Sequence, residues 1–149
     1  MERTTWEQVL NRAIAKEQEA HSNYMALAGW VRDPGSQQML RDLAEEERKH
    51  KEILEKWQGG RMFGSPPPGL PDLGVAGNRR DFRLDKDLTP EEAVRMAIRE
   101  EEMAHSFYES LSKSLEEGEA QAFAKRLAAE EQKHKFKLET LLATEWQEM

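Results

Sequence analysis

The sequence predicts an all-α protein, a bundle of four helices built from two copies of one helical hairpin with a long crossover between them. Three observations carry this. The chain repeats itself at an offset of 84 residues, and such self-similarity marks a duplicated structural unit. Each copy has apolar residues at three- and four-residue steps, the period of helices packed on one face. The copies are separated by a stretch crowded with Gly and Pro, which a continuous helix cannot pass through.

The elements follow in order. The first helix runs from about Thr5 to Trp30, with Leu10, Ala13, Glu17, Ala20, His21, Tyr24 and Ala28 on one stripe. Thr5 and Gln8 have the spacing of a capping box. Asp33-Pro34-Gly35-Ser36 breaks that helix. The second helix covers about 36–58 and places Leu40, Leu43, Glu47, His50 and Leu54 on one face. Residues 59–88 form the crossover, too long for an ordinary loop in a compact domain. Its apolar residues, Met62, Phe63, Leu70, Leu73, Val75 and Phe82, predict that it packs on the bundle. Two hairpins on such a strap could also exchange between two chains. The third helix opens at Thr89-Pro90-Glu91-Glu92, with a Thr cap, Pro in the first turn and acids at the positive end of the dipole. It runs to about Leu115. A turn at Glu116–Gly118 leads into a fourth helix ending near Thr144. The reading is one domain over 1–149, with hairpins at 5–58 and 89–145.

The repeat is dense. With 6–57 laid over 90–141 without a gap, about 19 of 52 positions are identical. AIAKEQEAHSNY (13–24) lies over AIREEEMAHSFY (97–108), and LAEEERKHKEIL (43–54) over LAAEEQKHKFKL (127–138). The four histidines form two equivalent pairs, His21 with His105 and His50 with His134.

Composition excludes several functions. The net charge is -7 with 34% charged residues and no basic run, which opposes binding to phosphate backbones. There is no Cys, so disulfides, thiolate metal sites and cysteine nucleophiles are excluded. No apolar run approaches a membrane span. The N-terminal MERTTWEQVL lacks the apolar core of a signal peptide. The cytoplasm is the expected location.

One feature of the stripes is anomalous. Glu17 sits among Ala13, Ala20, Tyr24 and Ala28, and Glu47 and His50 sit among Leu40, Leu43 and Leu54. Glu101, Glu131 and His134 repeat the pattern. Read alone, EEERKH is a solvated helix face, but the stripe and the repeat both turn these residues inward. Four unpaired buried carboxylates would cost more than a domain of this size can offset. Two divalent cations balance four carboxylates, and Glu-x-x-His puts both side chains one turn apart on one helix face, within reach of one ion.

The chain resembles the ferritin-like superfamily, and within it the rubrerythrin-like proteins. The residues that carry the resemblance are Glu17-x-x-Ala20-x-x-x-Tyr24, Glu47-x-x-His50, Glu101-x-x-Ala104-x-x-x-Tyr108 and Glu131-x-x-His134, spread over all four helices. A Glu from each of two helices and a Glu-x-x-His from each of the other two is the ligand set of ferritin-like di-iron and di-manganese proteins. The resemblance implies two iron ions, with manganese or zinc as other occupants, held by Glu17, Glu47, His50, Glu101, Glu131 and His134. It implies a non-haem diiron oxidoreductase that reduces hydrogen peroxide or dioxygen, fed by a separate electron-donor protein, in a homodimer. A ferroxidase or iron-handling protein is the alternative, and a metal-stabilised interaction module without enzyme activity is another. The chain departs from the best-known rubrerythrins in two ways. It lacks the Cys of a rubredoxin domain. It also lacks their extra Glu on the third helix, since Ile98 and Ala104 stand one turn either side of Glu101.

Four further residues lie beside the six. His21 and His105 are metal ligands, groups that orient a carboxylate, or core histidines, with the last two favoured. Tyr24 and Tyr108 are expected in the core, with their hydroxyls bonded to a ligand carboxylate. The runs Glu45–Glu47 and Glu100–Glu102 are expected to be exposed apart from the named ligands.

Overall fold

Helix starts follow from side chains that satisfy the orphan N–H groups of the first turn. Thr5 accepts from the Gln8 amide at 3.2 Å while the Gln8 side chain accepts from the Thr5 amide at 2.9 Å. Thr89 and Glu92 repeat this capping box at 3.1 and 3.2 Å. In the computed structural model, which describes residues 5–64 and 87–146, the elements are α1 (Trp6–Trp30), α2 (Pro34–Gln58), α3 (Pro90–Ser114) and α4 (Glu119–Glu145). The second helix starts two residues earlier than the sequence suggests. Asp33 caps it by accepting from the Ser36 amide at 2.8 Å, with Pro34 in the first turn. The same Asp-Pro pair that ends one helix therefore begins the next.

The ferritin-like bundle forms from two hairpins. α1 packs along α2 and α3 along α4, and the hairpins meet through α1 against α3 and α2 against α4. The apolar core is divided into two layers. One joins Tyr24, Leu27 and Ala28 of α1 to Leu40 and Leu43 of α2, Val94 and Ala97 of α3, and Leu138 and Leu141 of α4. The other joins Val9, Leu10 and Ala13 of α1 to Leu54 and Trp57 of α2, Tyr108 and Leu111 of α3, and Phe123 and Leu127 of α4. Neighbouring helices contribute opposite ends to each layer, so all adjacent pairs are antiparallel. Between the layers every helix turns a polar side chain inward: Glu17, Glu47 with His50, Glu101, and Glu131 with His134, all buried.

The described ends of the crossover sit on different layers. Phe63 stacks on Phe123 with ring centroids 5.3 Å apart and meets Trp57 edge-on at 5.4 Å. Its φ of 63° costs a residue with a Cβ roughly 1 kcal/mol or more, which the ring contacts offset. Leu88 packs against the opposite layer. Leu70, Leu73, Val75 and Phe82, expected to pack on the bundle, fall outside the described residues. Among the described residues no helix is long and apolar enough to cross a membrane.

Trp57 is fully buried and touches Trp6, Phe63 and Phe123. Trp57→Ala should lower the unfolding free energy by about 3–5 kcal/mol in urea titrations. A loss below about 1 kcal/mol would mean that the ring cluster does not hold that end of the bundle.

Candidate metal centre

Helix phase aims the site. Glu-x-x-His on α2 and α4 puts a carboxylate and an imidazole one turn apart on the inward face, and Glu17 and Glu101 approach from α1 and α3. All six side chains converge in the polar layer. They form two overlapping groups, Glu17, Glu47, His50 and Glu131, and Glu47, Glu101, Glu131 and His134, each with donor atoms within 4.8 Å of one another. Glu47 and Glu131 belong to both. The two imidazoles face each other nearly parallel, with centroids 6.1 Å apart.

The hydrogen bonds around the site use one atom of a side chain and leave another aimed inward. Tyr108 donates to Glu17 Oε1 at 2.7 Å, and Tyr24 donates to Glu101 Oε1. Glu17 Oε2 and Glu101 Oε2 are buried without a hydrogen bond. The Nε2 atom of His50 bonds Glu130, and that of His134 bonds Glu46 at 2.8 Å. Both Nδ1 atoms are left without a hydrogen bond, as are Glu131 Oε1 and both oxygens of Glu47. Buried polar atoms are nearly always satisfied, so seven such atoms in one layer require a partner.

Their spacing fits a cation. His50 Nδ1 lies 3.4 Å from Glu17 Oε2 and 3.6 Å from Glu131 Oε1. His134 Nδ1 lies 3.4 Å from Glu131 Oε1, and 3.8 Å from Glu101 Oε1, the oxygen that Tyr24 also bonds. Donor atoms bound to one ion at about 2.0–2.2 Å stand roughly 3 Å apart. His134 Nδ1 and Glu47 Oε1 approach to 2.6 Å yet lack the alignment of a hydrogen bond. Two donors that share an ion would sit this way. The residues present therefore fit a pair of ions.

Electrostatics agree. Burial opposes charge on both imidazoles, but Glu130 and Glu17 outweigh it at His50 and raise its pKa to about 9. Glu101 and Glu46 do the same at His134, raising it to about 10. Burial, then Glu17 and Glu101, push Glu47 well above the usual carboxylate range. Burial, then Glu101, Glu47 and Glu17, do so at Glu131. At Glu17 burial also raises the pKa, but Glu47, His50 and the Tyr108 hydroxyl outweigh it and the net shift is downward. Without cations the layer is held by protons.

One open choice is narrowed and one expectation changes. His21 and His105 are outside both groups. His21 Nδ1 bonds the Ala44 carbonyl at 2.9 Å and His105 Nδ1 the Ala128 carbonyl at 2.7 Å, so each ties together the helices of its own hairpin. Glu46, read as exposed within the run Glu45–Glu47, and Glu130, which the sequence reading did not single out, are only half-exposed and hold the opposite hairpin's histidine. The repeat itself held a signal for them, since positions 46 and 130 are equivalent and both Glu.

The two sides of the layer differ. On the α2–α4 side the ring nitrogens are covered by Glu46 and Glu130. On the α1–α3 side a cavity of about 60 Å³ reaches Glu17, Glu47, Glu101 and Glu131, and no histidine lines it.

Residues 8–65 match the family model Rubrerythrin. A solved structure, a hypothetical protein from Pyrococcus furiosus, is similar over 93% of this chain and 88% of that one, at 25% identity and a TM-score of 0.75. No curated protein matches. The first hairpin thus matches the rubrerythrin model, and the whole chain has a ferritin-like four-helix fold with a buried Glu/His cluster.

Two outcomes are expected. The histidine pKa values in the folded, chelator-treated protein lie above the unfolded value of about 6.5. Their stabilising contribution is complete below that pH and is lost as pH rises through about 9 and 10. Urea unfolding from pH 6 to pH 10 should show this fall, and a flat profile would contradict it. Glu130→Ala should weaken metal binding roughly 10–100-fold in competition with a chromophoric chelator, and unchanged affinity would leave Glu130 without a role at His50.

Proposed function

We propose that this chain is a non-haem diiron carboxylate protein that reduces hydrogen peroxide or dioxygen. The observation that carries the reading is the set of seven buried atoms without hydrogen bonds, all on the six side chains. Glu17 and His50 would hold one ion and Glu101 and His134 the other, with Glu47 and Glu131 within reach of both. Four carboxylates then balance two divalent cations. The oxygen and imidazole donor set suits iron or manganese, and the rubrerythrin-like match supports iron. When bound, the metal pair supplies two electrons and polarises the O–O bond.

The protein's own side chains do the rest. Tyr24 and Tyr108 fix one oxygen of Glu101 and Glu17 and leave the other directed inward. Both hydroxyls have pKa values raised well above normal, first by burial and then by the carboxylates, so they remain protonated donors. Glu46 and Glu130 fix the imidazoles so that Nδ1 faces the centre. Substrate approaches from the α1–α3 side, where the carboxylates are reachable and no imidazole intervenes. Reduction of hydrogen peroxide to two waters consumes two electrons and two protons. The sequence holds no Cys for a thiolate iron site, and we assign electron delivery to a separate donor protein, with a homodimer as the assembly.

Purified protein should carry about two irons per chain, and Glu47→Ala or Glu131→Ala should lose both ions because each removes a shared ligand. Metal analysis beside circular dichroism checks this. Loss of only one ion would refute the shared role. Stopped-flow mixing of the anaerobic ferrous protein with peroxide should show oxidation faster than that of free iron. No advantage over free iron with either peroxide or dioxygen would overturn the reading, and retention of ferric iron well beyond two per chain would favour iron handling.

A further inference from the structure

The cavity on the carboxylate side has a character of its own. It lies between α1 and α3 on the internal two-fold relation, with Ala13 and Ala20 facing Ala97 and Ala104, their equivalents in the repeat. Met103 and Phe107 complete a wall that is mostly apolar. Lys16 marks the rim, bridging Glu19 at 3.4 Å and Glu100 of α3 at 3.6 Å. Met103, 36% exposed, brings the cavity to the surface. One water needs roughly 10–15 Å³ on this measure, so a cavity of about 60 Å³ holds about four to six heavy atoms. The floor is the four carboxylates.

These features select a ligand class. With two cations bound the four carboxylates leave no net positive charge to attract an anion, and Glu19 and Glu100 already pair with Lys16 at the rim. A small, wholly polar molecule gains little from alanine and phenylalanine walls, and the two tyrosine hydroxyls that reach the cavity already donate to Glu101 and Glu17. A neutral molecule with one polar end and a short alkyl end satisfies both surfaces. Resting on the peroxidase reading above, we propose that the α1–α3 cavity binds the alkyl group of a short-chain organic hydroperoxide, and that such a compound is preferred over hydrogen peroxide. The reaction is ROOH + 2 electrons + 2 H⁺ → ROH + H₂O. The O–O bond breaks, the alkyl-bearing oxygen leaves as an alcohol and the other as water. The electrons come from the reduced metal pair, which the donor protein recharges, and the protons come from solvent. Ala20 and Ala104 set the space for the alkyl group and so determine specificity.

Each buried CH₂ is worth roughly fourfold in binding. The metal-loaded protein should therefore use tert-butyl hydroperoxide with kcat/KM at least about tenfold above that for hydrogen peroxide. Ala104→Leu and, separately, Ala20→Leu should each lower this ratio at least about tenfold, with metal content and helicity at wild-type levels showing that the bundle is intact. A second readout needs no turnover. In zinc-loaded protein labelled at its alanine methyls, tert-butyl alcohol should give nuclear Overhauser contacts to Ala20 and Ala104. Equal efficiency with the two peroxides, or no contact to either alanine, overturns the proposal. Inactivity toward both peroxides in iron-loaded protein overturns the peroxidase reading instead.

Discussion

Everything in this bundle answers to one electrostatic constraint: four carboxylates lie between two apolar layers, out of reach of bulk water. Taking that many charges from water costs several kcal/mol each, and no packing of leucines nearby offsets it. The structure shows two responses. The layer gathers protons, which is why Glu47, Glu131, His50 and His134 all shift toward their protonated forms. It also keeps a set of donor atoms bare and pointed at one another. The first response suits a metal-free chain and the second a metal-bound one, so binding ions and releasing protons are a single exchange.

The supporting residues obey the same economy of atoms. Each of the groups around the centre takes one end of a side chain and leaves the other free. Tyr24 and Tyr108 reach across between the hairpins, from α1 to Glu101 and from α3 to Glu17. Glu46 and Glu130 cross in the other direction, between α2 and α4. The hairpins are therefore joined at their polar middle as well as by the apolar layers above and below. His21 and His105 work within one hairpin, each spanning to a carbonyl of the adjacent helix.

Much of this was legible in the sequence because duplication doubles every signal. A single Glu-x-x-His on a charged helix says little, while two copies at equivalent positions, each on an apolar stripe, say which way the helices face. The capping boxes at Thr5 and Thr89 were readable because they are local. The start of α2 was harder, since Asp33-Pro34 is equally a stop and a start. Glu46 was misread, and Glu130 passed over, for a different reason. Each precedes a buried Glu by one residue and points about 100° away from it, which in an isolated helix means solvent. Only the docked partner hairpin turns that direction into a contact with His134 or His50. The role of His21 was hidden in the same way, since its partner is a backbone carbonyl and has no sequence signature.

The crossed pairing of Glu46 with His134 and of Glu130 with His50 has a consequence for inheritance. A chain that arose by doubling would normally be free to let one half decay while the other keeps the function. Here a change in the first hairpin is felt by a histidine of the second, and the reverse holds. The crossed contacts thus couple the two halves, so that a substitution at Glu46 or Glu130 is read out in the opposite copy.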